Sequence, residues 1–185
     1  MLSENKKEYI KKIPKKITPQ RLKNIALYYL KRFETSSNNL RLVLRRRIDS
    51  YCYYDKSFDK FEAYTWVENL LDDFVRFKYI DDERFAEIKV RGYLAAGKSV
   101  RYIVGKLREK GVEEDLVMKL LSEQDYDPIA SALKLVQKKK IGPYSVTTEI
   151  RKERRSKDLA ILMRAGFDYD VSIKVLDMED IDVVY

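Results

Sequence analysis

The stretch that decides the fold is residues 79–121, YIDDERFAEIKVRGYLAAGKSVRYIVGKLREKGVEEDLVMKLL, because it carries start and stop signals for three short helices. Asp81 or Asp82 can cap the first helix, and Gly97 can end it. Gly111 can end the second helix before an acidic turn opens the third. The second helix has apolar residues at the i, i+3, i+4 and i+7 positions, namely Val100, Ile103, Val104 and Leu107. The stretch therefore predicts a bundle of three helices.

Parts of this bundle recur elsewhere in the chain. Residues 111–121 align with residues 166–176 at an offset of 55, and both segments begin with glycine, an apolar residue and an acidic turn. Residues 36–44 align with residues 99–107 at an offset of 63, which pairs serine with serine at each helix start. Recurring helical units of this kind are typical of modular proteins whose units stack on their neighbours. We therefore predict an all-α fold of three tandem three-helix bundle repeats in an elongated, curved arrangement.

Cap signals and changes in composition divide the chain into five segments. Thr18-Pro19 and Asp127-Pro128 mark two starts, because a capping side chain followed by proline favours the first turn of a helix. In the first repeat we expect Phe33 on the inner face of the first helix, a tyrosine-rich link before the third helix, and that third helix over 63–77. The predicted segments are a basic N-terminal tail (1–17), three repeats (18–78, 79–124 and 125–177) and an acidic C-terminal tail (178–185).

The composition excludes several classes of chemistry. The chain has no histidine and Cys52 is its only cysteine, which rules out Cys/His zinc sites, Ser-His-Asp and Cys-His triads and intramolecular disulfides. We expect no catalytic residue, no metal site and no cofactor. The N-terminus lacks an apolar signal region, and no apolar run reaches the ~18 residues of a membrane span, so we expect a soluble, cytoplasmic protein.

Positive charge is concentrated in the first third of the chain. Residues 1–60 carry 16 Lys/Arg against 6 Asp/Glu, within a formal net charge of +8 for the whole chain. A basic front suits an anionic partner, either nucleic acid or an acidic protein surface. Arg101 and Arg108 are seven residues apart, hence on one helical face opposite the apolar stripe. The candidate contact residues are Arg45, Arg46, Arg47, Arg91, Lys98, Arg101, Arg108 and Lys110.

Residues 92–99, GYLAAGKS, match the nucleotide-binding pattern G-x-x-x-x-G-K-[ST] without a mismatch. A phosphate-binding loop follows a buried parallel strand, whereas the preceding residues 87–91, EIKVR, are charged and continue a helical pattern. We therefore interpret Gly97 as a helix break and Ser99 as the cap of the next helix. The acidic runs at 81–83 and 113–115 are interpreted as helix starts rather than as paired catalytic acids, because carboxylates there stabilise the helix dipole.

The sequence also matches a known family in several short segments. The central matches are 79–86 (YIDDERFA), 97–99 (GKS) and 106–112 (KLREKGV), and the flanking ones are 26–30 (ALYYL), 45–47 (RRR), 141–143 (IGP), 157–160 (KDLA) and 164–167 (RAGF). Through them, roughly residues 18–177 resemble the RecX family of recombination regulators. The flanking matches resemble its alphaproteobacterial form, from which the stretch 49–60 departs by being longer and richer in tyrosine.

The resemblance implies a non-enzymatic regulator that binds RecA and the RecA filament on single-stranded DNA. It implies restraint of strand exchange, ATP hydrolysis and coprotease activity in recombination, DNA repair and the SOS response. The basic residues would meet acidic RecA surfaces, with weak direct DNA contact, and we expect a monomer. Two alternatives stay open at this point: an autonomous helical DNA-binding protein, and an ATP-dependent enzyme that uses residues 97–99.

Overall fold

The computed structural model describes residues 14–178, and over that range it contains nine α-helices, one 3₁₀ turn and no strand. The all-α prediction is therefore confirmed. The rest of the two predicted tails, residues 1–13 and 179–185, lies outside the described residues. The helices are α1 (Pro19–Leu30), α2 (Ser37–Tyr54), α3 (Lys60–Arg76), α4 (Asp82–Ala95), α5 (Val100–Arg108), α6 (Glu114–Ser122), α7 (Pro128–Lys139), α8 (Thr148–Arg164) and α9 (Tyr169–Leu176), with the 3₁₀ turn at Gly142–Tyr144.

The helices follow one another in three groups, the first bundle (α1–α3), the middle bundle (α4–α6) and the last bundle (α7–α9). The described chain divides into two compact units. The first unit comprises residues 14–33 and 40–79, and the second comprises residues 34–39 and 80–178. The predicted domain limits and the curved arrangement stay predictions.

In the first unit, α1 packs against α3. The fully buried side chains form one stripe on each helix: Leu22 and Ala26 on α1, Leu40, Leu44 and Ile48 on α2, and Ala63 and Val67 on α3. These positions recur at the 3–4 residue spacing of a helical face, which is why the apolar pattern alone predicts them.

Two expectations for the first unit are wrong. Phe33 is 51% exposed rather than inside, because α1 ends at Leu30 and Phe33 follows the turn. The tyrosine-rich stretch is largely helical, since α2 continues to Tyr54 and α3 begins at Lys60, three residues before the predicted start at 63. Asp59 explains this earlier start, because its carboxylate accepts hydrogen bonds from two backbone amides of the first turn.

The second unit contains two bundles of the same design. In the middle bundle α4 and α5 both pack against α6, and in the last bundle α7 and α8 both pack against α9. Four aligned pairs in or just before α6 and α9 are buried in both copies, in agreement with the alignment at the offset of 55. The buried pairs are Val112 and Phe167, Val117 and Ser172, Leu120 and Val175, and Leu121 and Leu176.

Side-chain caps start the helices where the sequence places them. Thr18, Asp81, Ser99 and Asp127 each accept a hydrogen bond from a backbone amide in the first turn that follows. Such a cap stabilises a helix by about 1 kcal/mol, because it satisfies an amide that has no partner within the helix. Among the helices of residues 14–178, none is both long and apolar enough to cross a membrane.

Candidate functional site

Arg101 and Arg108 line one open cleft in the second unit, in agreement with their predicted shared face on α5. The cleft has a volume of about 520 Å³ and is bounded by α5, α6, the start of α7 and the turn that leads from α8 into α9. We call it the α5 cleft. Its lining is Ser99, Val100, Arg101, Val104, Gly105, Arg108, Glu114, Met118, Tyr126, Pro128, Gly166, Phe167, Asp168 and Val171.

The α5 cleft combines exposed cations with an apolar surface. Within residues 14–178 neither Arg101 nor Arg108 has an ion-pair partner. Met118 leaves 48% of its surface exposed, although its type favours burial. The Tyr126 hydroxyl is protonated at neutral pH, and burial raises its pKa further, so it can donate a hydrogen bond. Such a surface can bind a partner that offers carboxylates and an apolar group.

A buried serine contact joins the middle and last bundles beside the cleft. The Ser99 hydroxyl donates to the Ala165 carbonyl oxygen at 2.7 Å and accepts from the Tyr102 amide at 3.2 Å. The next residue, Gly166, has a φ of +87°, and a Cβ there would lie 2.7 Å from the serine Oγ and 3.1 Å from Arg101 Cβ. The glycine turn therefore lies directly against the stem of Arg101 and holds it at the edge of the cleft.

The same contact occurs a second time between segment 34–39 and the middle bundle, both within the second unit. The Ser36 hydroxyl donates to the Lys110 carbonyl oxygen at 2.6 Å and accepts from the amide three residues further on. Gly111 follows with a φ of +74°, and a Cβ there would lie 2.6 Å from Asn38 Cγ. We call the two contacts the serine junctions. They use the residues that align at the offsets of 63 and 55, so the sequence repeat is also a repeated contact.

Three of the remaining candidate cations lie in the first unit. Arg45 forms an ion pair with Glu68 at 2.8 Å, and its guanidinium lies 4.6 Å from the centroid of the Tyr64 ring. Arg46 and Arg47 are exposed on α2. The structure therefore gives Arg45 a packing partner and a charge partner, whereas Arg46 and Arg47 have no ion pair within residues 14–178.

The other three candidate cations lie in the second unit outside the cleft lining, and each has a near neighbour. The contacts of Arg91 and Lys110 are exposed and restrain those two side chains only weakly, whereas Lys98 and its neighbour are both half-buried. The neighbours are Glu87 for Arg91 (3.2 Å), the Tyr102 ring for Lys98 (5.0 Å to the centroid) and Asn39 for Lys110 (2.8 Å).

The nucleotide-binding motif at residues 92–99 lies on a helix and a turn. Gly92 is inside α4, and Gly97, with a φ of +65°, follows the end of that helix. Over the described residues there is no strand to precede a phosphate-binding loop. The interpretation of Gly97 as a helix break and Ser99 as a cap is confirmed. No group of three or more His, Cys, Asp or Glu in the described part of the chain is placed to hold a metal ion.

Sequence reasoning missed two parts of the site. It aligned Ser36 with Ser99 but did not predict that each hydroxyl reaches a carbonyl beside the aligned glycine. It also did not select Met118, because a methionine on an amphipathic helix is an ordinary core residue. The sequence does contain a signal for the serine junctions. The serine at a helix start and the glycine at a helix end both recur in the next repeat, which indicates a contact that recurs with them.

The fold and the α5 cleft together define a helical repeat protein with a candidate binding surface that is partly apolar and carries two arginines and two carboxylates. The comparisons identify its family. The family model for RecX, second three-helix domain, matches residues 81–121, which cover the middle bundle. The chain is 37% identical over 176 residues to the regulatory protein RecX of Myxococcus xanthus. This alignment covers 94% of this chain and 94% of the relative. It is 30% identical to the regulatory protein RecX of Agrobacterium fabrum, over 84% of this chain and 82% of the relative. This chain belongs to the RecX family of regulatory proteins.

Proposed function

We propose that this chain binds RecA and the RecA filament on single-stranded DNA, and mainly inhibits strand exchange, ATP hydrolysis and coprotease activity. It acts without catalysis of its own, in the cytoplasm, during recombination, DNA repair and the SOS response. Membership of a family of regulatory proteins supports this role, as does the match over almost the whole length of a relative. The single structural observation behind the proposal is the presence in the α5 cleft of two arginines that have no ion pair within residues 14–178.

Arg101 and Arg108 are the contact residues that we rank first. They are two helical turns apart, which corresponds to ~10 Å along α5 at a rise of ~1.5 Å per residue. Two cations at that spacing can meet carboxylates on successive turns of a partner helix, while Met118 and Val104 cover an apolar side chain between them. Opposite charges across such an interface set orientation and association rate as much as affinity.

The decisive experiment is a titration of this protein into RecA that hydrolyses ATP on single-stranded DNA. We expect saturable inhibition at substoichiometric amounts. The Arg101→Glu/Arg108→Glu variant should require roughly thirtyfold more protein for half inhibition, because each reversed charge costs about 1 kcal/mol at a partly exposed interface. Unchanged RecA turnover with the unaltered protein would refute the proposed function.

A matched control separates the α5 cleft from general charge effects. The Lys138→Glu/Arg154→Glu variant makes the same change in net charge at two exposed residues of the second unit that do not line the cleft. We expect it to inhibit RecA like the unaltered protein. Equal loss in both double variants would assign the effect to net charge and would remove the contact role of Arg101 and Arg108.

A further inference from the structure

The first unit contains a basic groove of its own, formed by the start of α1 and one residue of α2. Arg21, Asn24 and Tyr28 line it from α1, and Arg47 lines it from α2. The groove has a volume of about 590 Å³, and its lining contains no carboxylate. We call it the α1 groove. It differs in this respect from the α5 cleft, whose lining includes Glu114 and Asp168.

The charge in the α1 groove is not neutralised by neighbouring acids. Residues 14–33 contain six Lys/Arg and no Asp/Glu. Within residues 14–178 neither Arg21 nor Arg47 has an ion-pair partner. On the same helix α2, by contrast, Arg41 and Arg45 both pair with Glu68. The two arginines that line the groove therefore keep their charge free, whereas Arg41 and Arg45 on α2 are compensated.

Arg21 also has a donor without an acceptor. Its Nε atom is buried and has no hydrogen-bond partner within residues 14–178, as is also true of Arg45 Nε outside the groove. Buried donors of this kind are rare in proteins, because an unmade hydrogen bond to a desolvated group is costly. An anion bound in the groove would supply the missing acceptor. A phosphate oxygen suits a guanidinium particularly well, since it can accept two parallel N–H bonds.

An exposed tyrosine stands next to these cations. Tyr28 leaves 65% of its surface exposed, and its hydroxyl accepts a hydrogen bond from Arg32 at 3.1 Å. Arg21, Tyr28 and Arg32 follow one another at intervals of seven and four residues, which places them along one face of the helix. From Arg21 to Tyr28 the helix rises by ~10 Å, which matches about three phosphates of a stacked single strand at ~3.4 Å each.

We propose that the α1 groove binds the backbone of single-stranded nucleic acid, with Arg21 and Arg47 on neighbouring phosphates and Tyr28 stacked on a base. Free cations beside an aromatic ring are the features that proteins use for sequence-blind binding of single strands. A duplex fits less well, because its bases are already stacked on each other and leave no face for Tyr28. This inference does not depend on the proposed action on RecA.

The test measures binding of the full chain to a fluorescein-labelled dT18 strand by anisotropy over a series of salt concentrations, without RecA. Each phosphate contact on a single strand contributes about 0.7 to the slope of log affinity against log salt. The Arg21→Gln/Arg47→Gln variant should therefore lose about 1.4 from that slope. Tyr28→Ala should leave the slope unchanged and weaken binding about fivefold or more, since it removes one stacked base.

The control variant, Lys56→Gln/Lys78→Gln, removes two exposed cations of the first unit that do not line the groove. Its slope of log affinity against log salt should differ from that of the unaltered protein by less than ~0.35, which corresponds to half of one phosphate contact. Equal slopes for the groove and control variants would overturn the proposal. So would groove variants that lose binding to poly-glutamate but keep binding to dT18, because the groove would then serve an acidic protein surface.

Arg47→Gln alone guards against a folding artefact. Arg47 is exposed, so its replacement leaves the packing around the half-buried Arg21 intact. It should reduce the slope by about 0.7 with unchanged far-ultraviolet circular dichroism. A slope that does not change in this single variant would remove Arg47 from the phosphate contacts. A labelled duplex bound as tightly as dT18 would refute the stacking role of Tyr28.

Discussion

Replacement of Ser99 by alanine tests the serine junction most directly, because one hydroxyl makes two hydrogen bonds there. Ser99 is 2% exposed and caps α5 through the Tyr102 amide while it donates to the Ala165 carbonyl. Loss of the cap costs about 1 kcal/mol. Loss of the donor leaves a half-buried carbonyl without its partner, which costs about another 1 kcal/mol. We therefore expect Ser99→Ala to lower the free energy of unfolding by about 2 kcal/mol.

Thr147 provides the matched control for this substitution. It occupies the equivalent position at the start of α8, where its exposed hydroxyl accepts from the Ile150 amide at 3.3 Å and makes no hydrogen bond to another bundle within residues 14–178. Thr147→Ala should therefore cost only the cap, about 1 kcal/mol or less. The difference between the two variants isolates the contact with Ala165.

Urea unfolding followed by far-ultraviolet circular dichroism is the assay. With a slope of about 2 kcal/mol per molar urea, a loss of about 2 kcal/mol lowers the midpoint by about 1 M for Ser99→Ala. Thr147→Ala should lower it by about half as much or less. If Ser99→Ala is no more destabilising than Thr147→Ala, the hydrogen bond to Ala165 contributes nothing and our account of the junction is wrong.

Three further predictions concern glycine, charge and thiol sites. Gly166→Ala should destabilise the chain by about 1–3 kcal/mol, because Gly166 has a positive φ. Gly92→Ala should stabilise α4 by about 0.5–1 kcal/mol, because an added Cβ there meets no atom within 4 Å. If both variants change the free energy of unfolding in urea with the same sign, this prediction is wrong. Glu68→Gln should lower the free energy of unfolding by up to about 1 kcal/mol, and by less in 1 M salt, since the ion pairs of Glu68 with two arginines are partly exposed. A loss of stability that salt leaves unchanged would argue against an electrostatic cause. Burial raises the pKa of the Cys52 thiol, which depletes the thiolate at neutral pH, so alkylation by iodoacetamide should have its pH midpoint at a higher pH in the folded chain than in urea; a folded midpoint below the unfolded one would refute it.

Local signals in the sequence were sufficient for most of the helices. Thr18 and Asp127 begin helices because their own side chains accept from amides two or three residues away. The end of α2 could not be predicted in this way. Tyr51 lies in α2 and is 7% exposed because it packs edge-on against Phe58, with ring centroids 5.0 Å apart. Tyrosine has no strong intrinsic preference for or against the helix, so this tertiary contact decides the conformation of the stretch.

The candidate site was predictable only in part for a related reason. The spacing of Arg101 and Arg108 fixes their shared face, because it depends on helix geometry alone. The other wall of the α5 cleft depends on a contact between residues that are 66 positions apart, Ser99 and Ala165. No local sequence pattern indicates such a contact. The recurrence of serine at an offset of 63 and of glycine at an offset of 55 is an indirect sign of it.

Arg45 and Arg108 illustrate what a repeat does and does not conserve. They align at the offset of 63, and both lie on the second helix of a bundle. Their electrostatic surroundings are set by other helices: α3 supplies Glu68 to Arg45, whereas Arg108 has no ion pair within residues 14–178. A compensated guanidinium must first break an existing pair before it can bind a partner, and a free one need not. The aligned positions are therefore equivalent in the fold but not in binding, which is why we rank Arg108 above Arg45 as a contact residue.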